Sequence, residues 1–197
     1  VIWYQGENNT NRAKEYYHLF PAMINDWRKK WGKDFPFYWV QLANYMDAVE
    51  VPSESLWAQV REAQTQTLSL SHTGQAVIID IGEAKDIHPK NKKEVGRRLA
   101  LHALHNDYGF SDVVCESPMP KTVRRVQDKI VVQFDNVADG LIVKNKYGYL
   151  MSFAVAGNDG VYKWVQAKVA GKDRVVLSCP DVIDPVSVRY AWGDNPD

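Results

Sequence analysis

The sequence predicts an α/β unit, a partial three-layer α/β/α sheet over residues 1–117, followed by a smaller β-rich, sandwich-like module over 118–197. Two observations carry this expectation. Up to Ser117, three apolar strand-like runs alternate with three patterns of helical period, and that order implies a parallel sheet covered by helices. Beyond Pro120, short apolar runs follow one another between turn signals, with no long helical pattern among them.

Taken in order, Val1 to Gln5 reads as a short buried strand. From about Asn11 to Trp31, the residues Tyr17, Phe20, Ile24, Trp27 and Trp31 recur at spacings of three and four and mark one face of a helix. Pro21 lies inside that pattern and predicts a kink or a break, while Gly32 marks the stop. Pro36 to Ala43 is a second strand. Ser53 or Ser55 can cap the next helix, whose expected face is Leu56, Val60, Ala63, Thr67 and Leu70. The uninterrupted run Ala76-Val77-Ile78-Ile79 within Gln75 to Ile81 predicts a strand buried on both faces. After Pro89, Asn91 followed by Glu94 resembles a capping box and opens a third helix that runs to Tyr108 and stops at Gly109. In the second module, strands are expected at residues 122–126, 130–134, 141–143, 149–153, 161–169, 175–177 and 186–191.

Composition narrows the partners. Twenty-four basic and twenty-four acidic residues give a formal net charge of zero, which argues against a nucleic-acid or anionic-membrane surface. Lys90-Asn91-Lys92-Lys93 reads as a solvated helix start. Seven Trp and ten Tyr suit sugar faces, but core packing is the commoner use of such rings. Cys115 and Cys179 are too few for a disulfide framework and read as two buried free thiols, with a single bridge as the alternative. No apolar run approaches the roughly 18 residues of a membrane span. The chain opens directly on Val1-Ile2-Trp3-Tyr4 and stops abruptly on Trp192-Gly193-Asp194-Asn195-Pro196-Asp197, which reads as a fragment, so the lack of a targeting segment says nothing about localisation.

Two segments could carry chemistry, and both follow strand C-termini, the rim where ligands bind in open α/β sheets. In Asp86-Ile87-His88-Pro89, a carboxylate beside the imidazole can fix its tautomer and leave the other nitrogen as base. The alternative is an exposed histidine near a helix start, with Asp86 making local turn hydrogen bonds. In Gln5-Gly6-Glu7-Asn8-Asn9, polar side chains around a glycine suit an anion or carbonyl pocket. The competing reading is a plain strand-to-helix turn with Asn9 or Thr10 as N-cap. His18, His72, His102 and His105 read as structural or solvated. There is no zinc spacing, phosphate loop or Gly-x-Ser-x-Gly elbow, and Ser53, Ser69, Ser71 and Ser117 lack a nucleophile's setting. No cofactor or metal is called for.

Together, Trp3-Tyr4-Gln5-Gly6-Glu7 and Asp86-Ile87-His88-Pro89, with Lys92, Gly96, Arg97, Leu99 and Ala100, resemble sialate O-acetylesterases, part of the wider group of SGNH-type hydrolases. The remainder, ending Val188-Arg189-Tyr190-Ala191-Trp192, is similar to the C-terminal part of that family. The resemblance implies a flavodoxin-like α/β/α hydrolase that uses Ser, His and usually Asp to remove O-acetyl groups from sialic acid or another sugar. Its serine stands in a Gly-Gln-Ser-Asn-like block that precedes the Trp-Tyr-Gln-Gly-Glu segment. No such block exists here, so the resemblance places the nucleophile and the first strands upstream or on a second subunit, and implies that the chain alone is inactive.

By position, the resemblance makes His88 the general base and then the general acid, Asp86 its orienting group, Gln5 a donor to the oxyanion, and Glu7 a supporting hydrogen-bond partner. Two departures stand out. The superfamily's acid precedes its histidine by three residues, where Lys85 stands here and Asp86 lies only two before, which leaves open whether Asp86 orients the ring, has another role, or the site runs as a dyad. Asn8 replaces a common Ser. The family habit of handling extracellular or lumenal glycans implies a secreted, periplasmic or lysosomal setting. A catalytically inactive carbohydrate-binding or scaffolding module that keeps an old active-site rim is the alternative. Without preceding strands, Val1 to Gln5 should form an exposed apolar sheet edge that another chain covers, swaps or rebuilds.

Overall fold

The computed structural model describes residues 1–196. Three short strands, β1 (Ile2–Trp3), β2 (Phe37–Val40) and β3 (Thr73–Ala76), form a parallel sheet in the order β1-β2-β3, with Trp3 opposite Trp39 and Trp39 opposite Gln75. The helices α1 (Ala13–Trp31), α2 (Leu56–Gln66) and α3 (Lys92–Asn106) alternate with them, and a 3-10 segment, Glu7–Arg12, leads into α1. The chain forms two compact units, Val1–Ala48 with Ser55–Glu116, and Val49–Glu54 with Ser117–Asp197.

Strand alternation builds two cores in the first unit. Phe37 and Trp39 of β2 pack with Tyr16, Phe20 and Ile24 of α1 and with Trp57, Val60 and Ala63 of α2. Tyr38 and Val40, pointing the other way as period two requires, pack with Ala76, Ile78, Val95 and Leu99. All four residues of β2 are therefore buried, which makes it the central strand of an α/β/α sandwich. At the edge, among the described residues β1 pairs with β2 alone, and Ile2 is 73% exposed.

Local signals fix the helix ends. Ser55, not Ser53, caps α2 by accepting the Ala58 N–H at 2.8 Å. Asn91 caps α3 through the Glu94 N–H at 3.2 Å, but the Glu94 carboxylate turns to Arg97 and Arg98 instead of reaching back. Gly32 ends α1 in the left-handed conformation.

Several expectations are corrected. The helix α1 runs through Pro21 without a break. Its buried face is Ala13, Tyr16, Phe20, Ile24 and Arg28, one position round from the expected stripe, and Trp31 is 69% exposed. On α2, Leu56 is exposed and Trp57 buried. The third strand begins at Thr73 and ends at Ala76, so Val77 to Ile79 lie beyond it. It starts early because Gly74 and Gln75 make close contacts. A Cβ on Gly74 would stand 2.5 Å from His102 Nδ1, and Gln75 Oε1 accepts the Trp39 indole N–H at 3.0 Å.

The second unit holds two antiparallel sheets. One is β4 (Met119–Val126), β5 (Lys129–Asp135), β9 (Arg174–Ser178) and β8 (Gln166–Ala170); the other is β10 (Ser187–Tyr190), β6 (Phe153–Ala156) and β7 (Lys163–Trp164). Their inner faces share one core, with Ile130, Val132, Val175 and Leu177 from one sheet against Phe153 and Val155 from the other. The run expected as one strand over 161–169 is divided. It leaves the second sheet after Trp164 and joins the first at Gln166, with the Val165 N–H donating to Phe153 O at 3.0 Å. Residues 141–143 form no strand, and of 149–153 only Phe153 is in one. Both cysteines are free thiols, Cys179 buried and Cys115 half-buried. Among the described residues no helix is long and apolar enough to cross a membrane, and no group of His, Cys, Asp and Glu could hold a metal ion.

Candidate active site

Where β1 ends, the chain turns sharply at Gly6, whose φ is 149°. A Cβ there would meet Gln64 Nε2 at 3.2 Å and Val60 Cγ1 at 3.3 Å, so the turn lies directly against α2 and requires glycine. The turn presents Gln5, Glu7 and Asn8 on one side. The Gln5 Nε2 donates to Asn9 Oδ1 at 2.6 Å, and Tyr16 Oη donates to Gln5 Oε1 at 3.1 Å. Neither Asn9 nor Thr10 is an N-cap, since Gly6 precedes the 3-10 segment and Arg12 precedes α1.

The second segment is the loop between β3 and α3. Its conformation is held by a backbone bridge between Glu83 and Asp86, an ion pair of Lys90 Nζ with Glu83 at 3.0 Å, and Pro89, which is fully buried. Between half-buried Ile87 and buried Pro89, the His88 side chain projects outward and is 86% exposed. Asp86 Oδ1 accepts the backbone N–H of His88 at 2.9 Å and lies 3.8 Å from its Nδ1, outside hydrogen-bond distance of the ring.

The two segments meet in a cleft of about 390 Å³. Tyr4, Gln5, Glu7 and Asn8 line it from the end of β1; Ile87, His88, Pro89 and Lys92 line it from the loop and the first turn of α3. Gln5, Glu7 and His88 thus share one cavity, and Asp86 stands behind His88 instead of in the lining. Lys92 Nζ sits over the Tyr4 ring, 5.3 Å from its centroid. Burial raises the Tyr4 phenol to about 12, helped by the negative charge of Glu7. Burial likewise raises Tyr16 to about 12, with a smaller upward push from Glu7. Both hydroxyls therefore stay protonated at neutral pH.

Chemically, the cleft offers an amide donor, a carboxylate, an imidazole and a cation, but no serine, threonine or cysteine. Tyr16 and Gln64, which hold Gln5 from two helices, carry no local signal of a site. Tyr16 is one apolar-face residue among several, and Gln64 becomes visible only as a fully buried amide. Of the other histidines, His102 is buried against Gln75 O at 3.1 Å, His105 contacts Val113 O at 2.8 Å, His72 lies 3.0 Å from Asp34, and His18 is exposed.

A family model described as carbohydrate esterase, sialic acid-specific acetylesterase, matches residues 1–105. The sialate O-acetylesterases of Homo sapiens and Pongo abelii are each 28% identical over 216 residues, which covers 98% of this chain and 40% of theirs. The chain thus spans well under half the length of these relatives. A crystal structure of a carbohydrate acetylesterase from Xanthomonas citri is 44% identical, superposes with a TM-score of 0.92, and is matched over 100% of this chain and 46% of that one. With the family model covering more than half of the chain, including both loops of the cleft, this chain belongs to the sialic acid-specific carbohydrate acetylesterase family.

Proposed function

We propose that residues 1–197 are the histidine-bearing part of a carbohydrate O-acetylesterase, acting on O-acetylated sialic acid or a related O-acetylated sugar. Residues 1–117 are the C-terminal half of an SGNH-type hydrolase domain, and 118–197 are its β-rich companion. The nucleophilic serine comes from an upstream segment of the same protein or from a second subunit. The observation that supports this most is the shared cleft, in which the strand-end amide of Gln5 faces the same cavity as the imidazole of His88. The lack of a serine, threonine or cysteine in its lining agrees with a nucleophile supplied from elsewhere.

In this reading, the serine attacks the acetyl carbonyl while His88 takes its proton. Gln5 Nε2 donates to the oxyanion of the tetrahedral intermediate. The intermediate collapses as His88 protonates the departing sugar oxygen, leaving an acetyl-enzyme. Water, deprotonated by His88, then releases acetate and restores the serine. Glu7 lines the cleft beside Gln5 as a supporting hydrogen-bond partner, and Asp86 holds the His88 loop. Its 3.8 Å separation from Nδ1 is compatible with a contact that closes on substrate binding, since catalytic hydrogen bonds are often long in the empty site.

The test is acetate release from O-acetylated sialic acid by the natural full-length protein, by residues 1–197 alone, and by a full-length His88→Ala variant. Activity is expected only in the first, with a loss on the order of a thousandfold or more in the variant. A fully active His88→Ala protein would overturn the reading. Sugar binding without acetate release by the full-length protein would favour a binding module.

A further inference from the structure

Gln5 is held from three directions, its side chain by two residues and its backbone oxygen by a third. Tyr16 Oη, on α1, donates to Gln5 Oε1 at 3.1 Å and also lies 3.3 Å from the Gln5 backbone oxygen. Asn9 Oδ1, in the 3-10 segment, accepts from Gln5 Nε2 at 2.6 Å. Gln64, on α2, donates through Nε2 to the Gln5 backbone oxygen at 3.1 Å, while its Oε1 accepts the Leu42 N–H at 2.9 Å. Gln64 is fully buried, and its amide ties the exit of β1 to the exit of β2.

We propose that Tyr16 and Asn9 are positioning residues that select the orientation of the Gln5 amide, with Gln64 fixing the backbone beneath it, so that an N–H and not the carbonyl oxygen serves the cleft. This rests on the esterase reading and on Gln5 as the oxyanion donor. A primary amide is nearly symmetric in shape, so its hydrogen-bond partners decide which end carries the oxygen. Reversed against Asn9 in its present orientation, the Gln5 oxygen would face the Asn9 oxygen, and an acceptor would meet the developing oxyanion. In the observed orientation Tyr16 supplies the hydroxyl hydrogen that Oε1 needs. One Nε2 hydrogen goes to Asn9, and the other remains for a ligand in the cleft that Gln5 lines. Because burial holds the Tyr16 phenol up at about 12, it remains a donor across the working range of an esterase.

A donor held this way loses little on binding and much when its partner goes, because catalysis depends on preorganisation. Both residues could instead be packing residues only, and a double-mutant cycle separates the two roles. The kinetics of p-nitrophenyl acetate hydrolysis are measured for the natural full-length protein, Tyr16→Phe, Gln5→Ala and the double variant, with thermal melts alongside. Tyr16→Phe is expected to lower kcat on the order of tenfold with KM little changed, as for loss of one orienting hydrogen bond. In the Gln5→Ala background the same substitution should have no further effect.

An equal loss in both backgrounds would overturn the positioning role and leave Gln5 as the donor. An unchanged kcat in Tyr16→Phe would do the same. A Gln5→Ala protein as active as the wild type would overturn the donor role, and the positioning role with it. Should Tyr16→Phe fail to fold, the cycle runs with Asn9→Ala, which removes the acceptor of Nε2 on a short surface segment. Additivity with Gln5→Ala would then overturn the proposal.

Discussion

The Asp86 carboxylate accepts the backbone N–H of His88 at 2.9 Å and stands 3.8 Å from the same residue's Nδ1. Its direct hold is thus on the loop, with the ring left free to turn. An asparagine keeps the accepting oxygen, whereas an alanine does not. In the full-length protein, Asp86→Asn is expected to keep kcat/KM within about tenfold of wild type, while Asp86→Ala falls further and His88→Ala furthest. If Asp86→Asn is as damaging as His88→Ala, the negative charge is the essential feature, and the carboxylate must close on Nδ1 during turnover.

Gly6 is expected to tolerate no side chain. Gly6→Ala combines an unfavourable backbone conformation with a Cβ 3.2 Å from Gln64 and 3.3 Å from Val60. The change should destabilise the first unit by about 1–3 kcal/mol in urea unfolding, and it should disturb the Gln5 turn as well. Wild-type stability in the variant would mean that the turn relaxes freely.

His102 makes stability depend on pH. Its ring stacks on Tyr38 with centroids 5.6 Å apart, and burial holds its pKa below the ordinary 6.5 despite the contact with Gln75 O and the charge of Glu116. The unfolded chain therefore takes up this proton first as the solution is acidified. The stabilisation is complete above about 6.5 and is lost as the pH falls from there toward the folded value, with a slope of up to about 1.4 kcal/mol per pH unit. Unfolding free energies of the wild type and His102→Gln, compared at pH 5 and 7.5, should show a shallower slope in the variant. Parallel slopes would assign the acid sensitivity to other groups.

Arg28 braces the starts of β2 and β3. Its buried guanidinium donates to Phe35 O, Ser71 O and His72 O at 3.0–3.1 Å and pairs with Asp34 at 3.0 Å. Arg28→Met removes the side-chain donor from Phe35 O and Ser71 O and leaves His72 O with only the Phe37 N–H, and should cost about 2–4 kcal/mol of stability. Arg28→Lys should recover only a fraction, because a single ammonium cannot span the fork. Full recovery by lysine would show that charge matters more than geometry.

The same Arg28 shows where reading the sequence fails. An apolar stripe through Tyr17, Trp27 and Trp31 is the natural reading of α1, yet the helix turns Tyr16 and Arg28 inward. Backbone carbonyls and the Gln5 turn need donors there, and hydrophobic periodicity carries no information about that need. The run at 76–79 misplaces β3 for a related reason. Its strand position depends on Gly74 admitting His102 and on Gln75 meeting Trp39, contacts made with residues far away in the chain.

What the sequence determined by itself was what a few neighbouring residues can encode. Alternating periods set the order of strands and helices, Asn91 set one helix start, another was narrowed to Ser53 or Ser55, Gly32 set a helix end, and two polar loops after strands marked the rim. The motif around Gln5 and that around His88 were each legible as local strings. Only the tertiary structure decided that both line one cleft, that Asp86 grips the loop's backbone, and that Tyr16 and Gln64 converge on Gln5. Caps and periods are fixed by hydrogen bonds and burial within a turn or two of chain. Convergence of distant side chains is fixed by how the sheet and its helices pack.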